Sequence, residues 1–314
     1  MGILDIEGLT VDFNGRNGVH HVLKGVDISI YDSEIVGLIG ESGSGKSTLV
    51  LTALDLNPHD RVMSGTIMFM GRSIVGIDWE SMRQVRGRHI GFIPQSAMNA
   101  LDPLVTVKRQ FLETIQDHTD MPREEALKLI KDSLIAVGID PGRADSFPYE
   151  FSGGQRQRLM IALSMLLTPE LIIADEPTTA LDVTLQSRIV QLLKDIVEKK
   201  HSSMLVISHD LHTISRICDR IYIMYAGRVV EAGTRREILE SPGHPYTRKL
   251  LSSRLHVAAV PTRVRGIPGS PPSTLKSYTG CEFYERCEER AEICKAERPP
   301  LCSRAVKVSC HLRR

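Results

Sequence analysis

The stretch Ile35-Val36-Gly37-Leu38-Ile39-Gly40-Glu41-Ser42-Gly43-Ser44-Gly45-Lys46-Ser47-Thr48, IVGLIGESGSGKST, is an apolar run ending in a glycine-rich loop. The run reads as a buried strand, and a helix is expected from Lys46. Gly40 to Ser47 fits G-x-x-x-x-G-K-[ST] at every position. In that pattern glycines let backbone N–H groups wrap phosphate oxygens, lysine brings charge to the β and γ oxygens, and the last hydroxyl ligates Mg²⁺. Ser42, Gly43, Ser44, Gly45, Lys46, Ser47 and Thr48 are therefore candidate nucleotide ligands. The strand–loop–helix context makes the core an α/β fold of the P-loop kind.

Working outward, Ile6, Leu9, Val11 and Phe13, then Val22, Val26, Ile28 and Ile30, mark two N-terminal strands, with another at Thr66–Met70. From about residue 96 to 167 the period turns helical. Pro122, Glu124 and Glu125 open one helix, Leu127, Ile130, Leu134 and Val137 line its apolar face, and Gly138 closes it. Strand character returns at Leu171–Ala174. A helix follows with Ile189, Leu192, Leu193, Ile196 and Val197 inward, then a strand at Ser203–Ser208 and a hairpin turning at Ala226-Gly227. The order is an α/β core, an inserted helical segment, and a return to the core.

A second glycine-rich helix start stands at Phe151-Ser152-Gly153-Gly154-Gln155. Ser152 is a natural cap, and such a start attracts anions. One nucleotide needs only one such cradle, so the second one calls for an explanation. Asp175-Glu176 ends the Leu171–Ala174 strand, where an Asp of P-loop proteins holds Mg²⁺. Glu176 is the candidate general base for an attacking water. Gln95 and His209 each follow a core strand at the end where nucleotides lie.

Bulk properties bound the partners. Lys+Arg 39 against Asp+Glu 38 leaves a net charge of +1, which gives no support to a nucleic-acid-binding surface. Met1 to Ile6 carries no signal-peptide pattern, and no apolar run spans a membrane, so a cytosolic chain is expected. Beyond Ser253 the Pro/Gly stretch RGIPGSPPS reads as a linker. Cysteine use is lopsided: Cys218 is alone until Cys281, Cys287, Cys294, Cys302 and Cys310 crowd the tail. Five in a cytosolic tail point to a metal or cluster site rather than disulfides. The spacing x5, x6, x7, x7 fits neither a zinc ribbon nor a ferredoxin.

Together these motifs resemble an ATP-binding-cassette (ABC) ATPase subunit. In that resemblance Gln95 is the Q-loop residue, FSGGQ the signature, LIIADE the Walker B strand, Ala180-Leu181-Asp182 the D-loop and His209 the switch histidine. Phe13 falls where the family stacks an aromatic ring on adenine, and Phe151 stands where leucine is commoner. The resemblance implies the ABC-type fold: a mixed β-sheet core with antiparallel N-terminal strands and an inserted helical subdomain. It also implies that Glu176, His209 and Gln95 act in hydrolysis, and that Ser47, Gln95 and Asp175 hold Mg²⁺. Two cassettes pack head to tail in this family. Ser152, Gly153, Gly154 and Gln155 then address the ATP of a partner chain, with the D-loop Asp182 nearby, which accounts for the second helix start.

RQVRGRHIGFIPQ, NALDP, HPYTRKLL and GCEFYERC narrow the resemblance to the dipeptide/oligopeptide importer ATPases, with the segment Leu54–Gly65 closer to the first of their two ATPase subunits. The implied domains are 1–255 (ABC nucleotide-binding domain, helical subdomain about 96–167), 256–278 (linker) and 279–314 (small irregular cysteine-rich extension). The implied partners are a second, homologous ATPase subunit in a heterodimer, two transmembrane permease subunits and, indirectly, an extracytoplasmic solute-binding protein. The chain would sit peripherally on the cytoplasmic face of the membrane. A similar tail binds a [4Fe–4S] cluster in this family, and Cys281, Cys287, Cys294 and Cys310 match its ligands, with Cys302 a competitor for the last place. Importers of oligosaccharides or nickel, and soluble ABC ATPases outside transport, are the alternatives.

Overall fold

Alternating apolar residues open the chain as β1 (Leu4–Gly15) and β2 (Gly18–Ile30), an antiparallel hairpin that buries Leu4, Ile6, Leu9 and Val11. The computed structural model describes residues 2–57, 61–96, 99–179, 181–252, 266–303 and 307–313. The decisive apolar run forms β3 (Ile35–Ile39), buried throughout, and α1 (Lys46–Ala53) follows the glycine loop. β4 (Arg61–Phe69) begins earlier than the alternation indicates, and Met70, at φ 48°, already turns the chain into β5 (Arg72–Ser73). α2 (Trp79–Val85) buries only Met82, so it left no periodic trace in the sequence.

Next come β6 (Ile90–Ile93) and the helical stretch of α3 (Val107–His118), α4 (Arg123–Ala136) and α5 (Gly153–Ser164). Then follow β7 (Leu171–Asp175), α6 (Val183–Lys200), β8 (Ser203–Ser208), α7 (Leu211–Ser215), β9 (Arg220–Tyr225) and β10 (Arg228–Thr234). α8 (Arg235–Glu240) and α9 (Pro245–Ser252) lead to the tail, which holds α10 (Glu292–Ala296) and the short strands β11 (Cys302–Ser303) and β12 (Lys307–Val308). Two helix faces differ from the expected ones. In α4 Ala126 is buried and Leu127 is 38% exposed; in α6 Val190 is buried where Leu192 is only half-buried. In both, the apolar stripe is rotated by about one residue, which a 3.6 period leaves open at its edges.

The chain forms two compact units. The first comprises Met1–Ile30, Ile35–Val75 and Ser208–Arg314, and the second Tyr31–Glu34 and Gly76–Ile207. The described part of the cysteine-rich tail falls in the same unit as the phosphate loop. The helical stretch likewise shares its unit with β6, β7 and α6. The expected boundary at residue 255 lies outside the described residues.

In the first unit, β2-β1-β4-β5 make an antiparallel sheet. β3 runs parallel to β9, β10 lies antiparallel to β9 and to β12, and β11 pairs with β12. The β9–β10 turn has Ala226 at φ 49° and Gly227 at φ 86°, the left-handed pair that suits a tight hairpin. In the second unit β6, β7 and β8 are parallel, with Ile93 beside Ala174 and Ala174 beside Val206. Their carboxyl ends line up, so Gln95 and Glu176 leave from adjacent strand ends.

α5 sits tightly on β6. A Cβ on Gly91 would lie 2.1 Å from the Ser164 carbonyl oxygen, and the Ser164 hydroxyl donates to the Phe92 carbonyl at 2.7 Å. Neither backbone can retreat cheaply. Gly91→Ala is expected to lower the unfolding free energy by about 1–3 kcal/mol, read as a lower denaturant midpoint. An unchanged midpoint would mean that this contact is looser than these distances imply.

Candidate functional site

The loop between β3 and α1 is shaped by its glycines in different ways. A Cβ on Gly40 would stand 2.2 Å from the Met224 carbonyl, and one on Gly45 (φ 100°) would stand 2.9 Å from Leu23. Gly43, at φ 80°, faces open space. The Gly227 N–H at the β9–β10 turn donates to the Ser44 carbonyl at 3.0 Å and supports the loop from behind. Lys46 is 5% exposed, and its Nζ donates to the carbonyls of Gly40 and Glu41, both at 2.9 Å. The buried Ser44 hydroxyl has no hydrogen-bond partner among the described residues. An unmet buried hydroxyl, a buried ammonium and the first N–H groups of α1 are a donor set for an oxyanion. Phe13, half-buried on β1, lies in this same unit.

At the carboxyl end of β7, Asp175 is 4% exposed. Glu176 follows at φ 47°, a left-handed conformation that costs a non-glycine residue about 1–3 kcal/mol and is held where the surroundings impose it. Its N–H donates to the Ile207 carbonyl at 2.9 Å. Its Oε2 accepts from Gln95 Nε2 at 3.2 Å and from the Thr179 hydroxyl at 2.9 Å. Two neutral donors thus fix the direction of this carboxylate oxygen. Thr179 escaped sequence reasoning, although TT after an acidic strand end is a usable signal. His209 directly follows β8 and is exposed.

α5 opens with a complete capping box. The Ser152 hydroxyl accepts from the Gln155 N–H at 3.3 Å, and the Gln155 side chain accepts from the Ser152 N–H at 3.0 Å. Gly153 and Gly154 stand in the first turn, whose N–H groups have no partner within the helix. Phe151 is buried under the Arg143 guanidinium, 4.0 Å from the ring centroid. Buried Gln157 donates from Nε2 to the Pro177 carbonyl at 2.6 Å, tying this helix to the segment just after Glu176. Asp182 caps α6, accepting from the Leu185 N–H at 2.9 Å. Ala180, the first D-loop residue, lies outside the described residues.

In the tail, Cys281, Cys287, Cys294 and Cys310 are free thiols that line one small cavity together with Phe283, Pro299 and Leu312. Burial pushes Cys281 up to about 12 and raises Cys287 and Cys310 as well, so these thiols hold their protons near neutral pH. Among the described residues no group of three or more His, Cys, Asp or Glu is placed to hold a single metal ion. The Cys302 side chain is outside the description. The HPYT segment serves the structure. Buried Glu231, raised by that burial, accepts from the N–H groups of Gly243 (2.6 Å) and His244 (3.0 Å) at the entry to α9. Among the described residues no helix is long and apolar enough to cross a membrane.

Comparison with known proteins gives a consistent picture. The ABC transporter family matches residues 23–179, and the oligopeptide/dipeptide transporter C-terminal region matches residues 230–294. A probable peptide ABC transporter ATP-binding protein of Sinorhizobium fredii is 40% identical, covering 95% of this chain and 91% of its own. The dipeptide transport ATP-binding protein DppD of Bacillus subtilis is 38% identical over 93% of this chain and 88% of its own. The oligopeptide transport ATP-binding protein OppD of Escherichia coli is 36% identical over 95% and 89%. Among solved structures, the dimeric ATP-binding cassette MJ0796 bound to ADP and Pi is 28% identical with a TM-score of 0.66, covering 74% of this chain and 99% of that one.

Proposed function

This chain belongs to the ABC transporter family and is an ATPase of its oligopeptide/dipeptide branch, and from that premise we propose that it is the motor subunit of an importer for peptides. Lys46 and the N–H groups from Gly43 to Thr48 hold the phosphates of ATP, and Phe13 stacks on the base. Ser47, Gln95 and Asp175 would hold Mg²⁺, which would supply neutralising charge to the phosphates. Glu176 would take a proton from the water that attacks the γ-phosphorus, with ADP as the leaving group, and His209 would serve as the switch histidine beside the γ-phosphate. Ser152, Gly153, Gly154 and Gln155 offer their donors to the triphosphate of a second cassette, with the segment at Asp182 beside them. The supporting feature there is a helix start capped by Ser152, with Gly153 and Gly154 in its first turn.

The second cassette is a homologous subunit, and the pair works beneath two permeases that receive peptide from an extracytoplasmic binding protein. The chain therefore acts at the cytoplasmic face of the membrane. What supports this reading is the match to the oligopeptide/dipeptide transporter C-terminal region and the likeness to dipeptide and oligopeptide transport ATP-binding proteins.

The cysteine tail is assigned a [4Fe–4S] cluster, held by Cys281, Cys287, Cys294 and Cys310. Four thiols around one apolar-walled cavity are a suitable donor set, and they do not converge on a point as the ligands of one zinc ion would. The cluster's role is to staple a small, irregular segment.

The single observation carrying the ATPase reading is the carboxylate of Glu176, fixed by Gln95 and Thr179 at a strand end. Glu176→Gln is expected to keep ATP binding while slowing hydrolysis at least about a hundredfold. Hydrolysis near the original rate would remove Glu176 from this role. For the tail, anaerobic purification is expected to give brown protein with about four irons per chain. Colourless protein with one zinc would refute the cluster.

A further inference from the structure

Glu41, the single acid of the phosphate loop, is gripped from outside the loop. Arg286 places a two-pronged ion pair on its carboxylate, Nη1 to Oε2 at 2.6 Å and Nη2 to Oε1 at 3.0 Å. The Glu41 N–H donates to the Tyr246 hydroxyl at 2.9 Å. Its carbonyl accepts from Lys46 Nζ at 2.9 Å and from the Ser44 N–H at 3.2 Å. One residue thus joins the catalytic lysine, α9 and the tail.

Arg286 is itself immobilised. It is 6% exposed, and its other donors go to the Pro268 carbonyl (2.8 Å), the Ile267 carbonyl (3.3 Å) and the Tyr225 hydroxyl (3.3 Å). It ends the short turn Tyr284–Arg286, next to Cys287. Phe283, one position before that turn, packs edge-on against Tyr225 and Tyr246, with ring centroids 5.3 and 5.5 Å away. A continuous packed path therefore runs from the cysteine cavity to the loop. All of these residues lie in one compact unit.

A carboxylate inside a phosphate cradle repels the ligand that the cradle exists to bind. A buried arginine fork cancels that charge and fixes where it points, which a surface ion pair would not do. We propose that Arg286 is a positioning residue of the nucleotide site: acting through Glu41, it neutralises and orients the phosphate loop, so the C-terminal extension sets the affinity for nucleoside triphosphate. This rests on the ATP-binding reading above.

The test titrates the full-length chain with a fluorescent ATP analogue and Mg²⁺, with iron content and thermal midpoint measured on the same samples. Arg286→Ala is expected to raise the dissociation constant about tenfold or more, and Arg286→Lys, which keeps charge without the fork, to fall between. Adding Glu41→Gln to either variant removes the stranded carboxylate and is expected to restore affinity to within about threefold. If Arg286→Ala does not fold, Arg286→Lys with and without Glu41→Gln carries the same comparison. Wild-type affinity in the single variants, or a double variant as weak as the single, would overturn the proposal. Lys46→Ala run alongside separates the two readings. Undiminished binding there would sink the ATP site itself, whereas lost binding there with normal Arg286 variants sinks only the role of Arg286.

Discussion

A triphosphate carries several negative charges, and under the ATP-binding reading this chain meets them chiefly with oriented backbone N–H groups rather than with a field of cations. Its formal charge is only +1. Peptide dipoles reach a phosphate only where no side chain stands between, and of the loop's glycines Gly43 faces open space while Gly40 and Gly45 are set by close packing. The same demand reaches into the surroundings. Gly40 must lie against the Met224 carbonyl, Gly227 must support Ser44, and Glu41 must be neutralised from elsewhere. Much of the first unit's packing follows from holding that loop open.

The second unit carries its own set of fixed polar groups. Glu176 is bent into a left-handed conformation and aimed by Gln95 and Thr179, while Gln157 ties α5 to the turn behind it. Under the motor reading, closing two cassettes on ATP completes the charge compensation that neither has alone, and hydrolysis withdraws it.

Much of this was legible in the sequence because it is local. β3, the phosphate loop and α1 were read from one fourteen-residue run, and the hairpin at Ala226-Gly227 from the turn chemistry. Helix faces were legible only to within a residue, since Leu127 and Leu192 sit at the edges of their stripes. Asp182 capping α6 follows the ordinary N-cap preference for Asp. The Arg286–Glu41 pair had no local signal at all. Its members stand 245 residues apart, and only folding brings a fork from the tail onto the loop.

The most direct measurement is a cryo-EM map of the ATP-loaded assembly, trapped by the Glu176→Gln substitution, at a resolution that shows the triphosphate. The account places the Ser152 hydroxyl and the Gly154 N–H within about 3 Å of the γ-phosphate held by the neighbouring cassette. A map with that helix start remote from every triphosphate would contradict it.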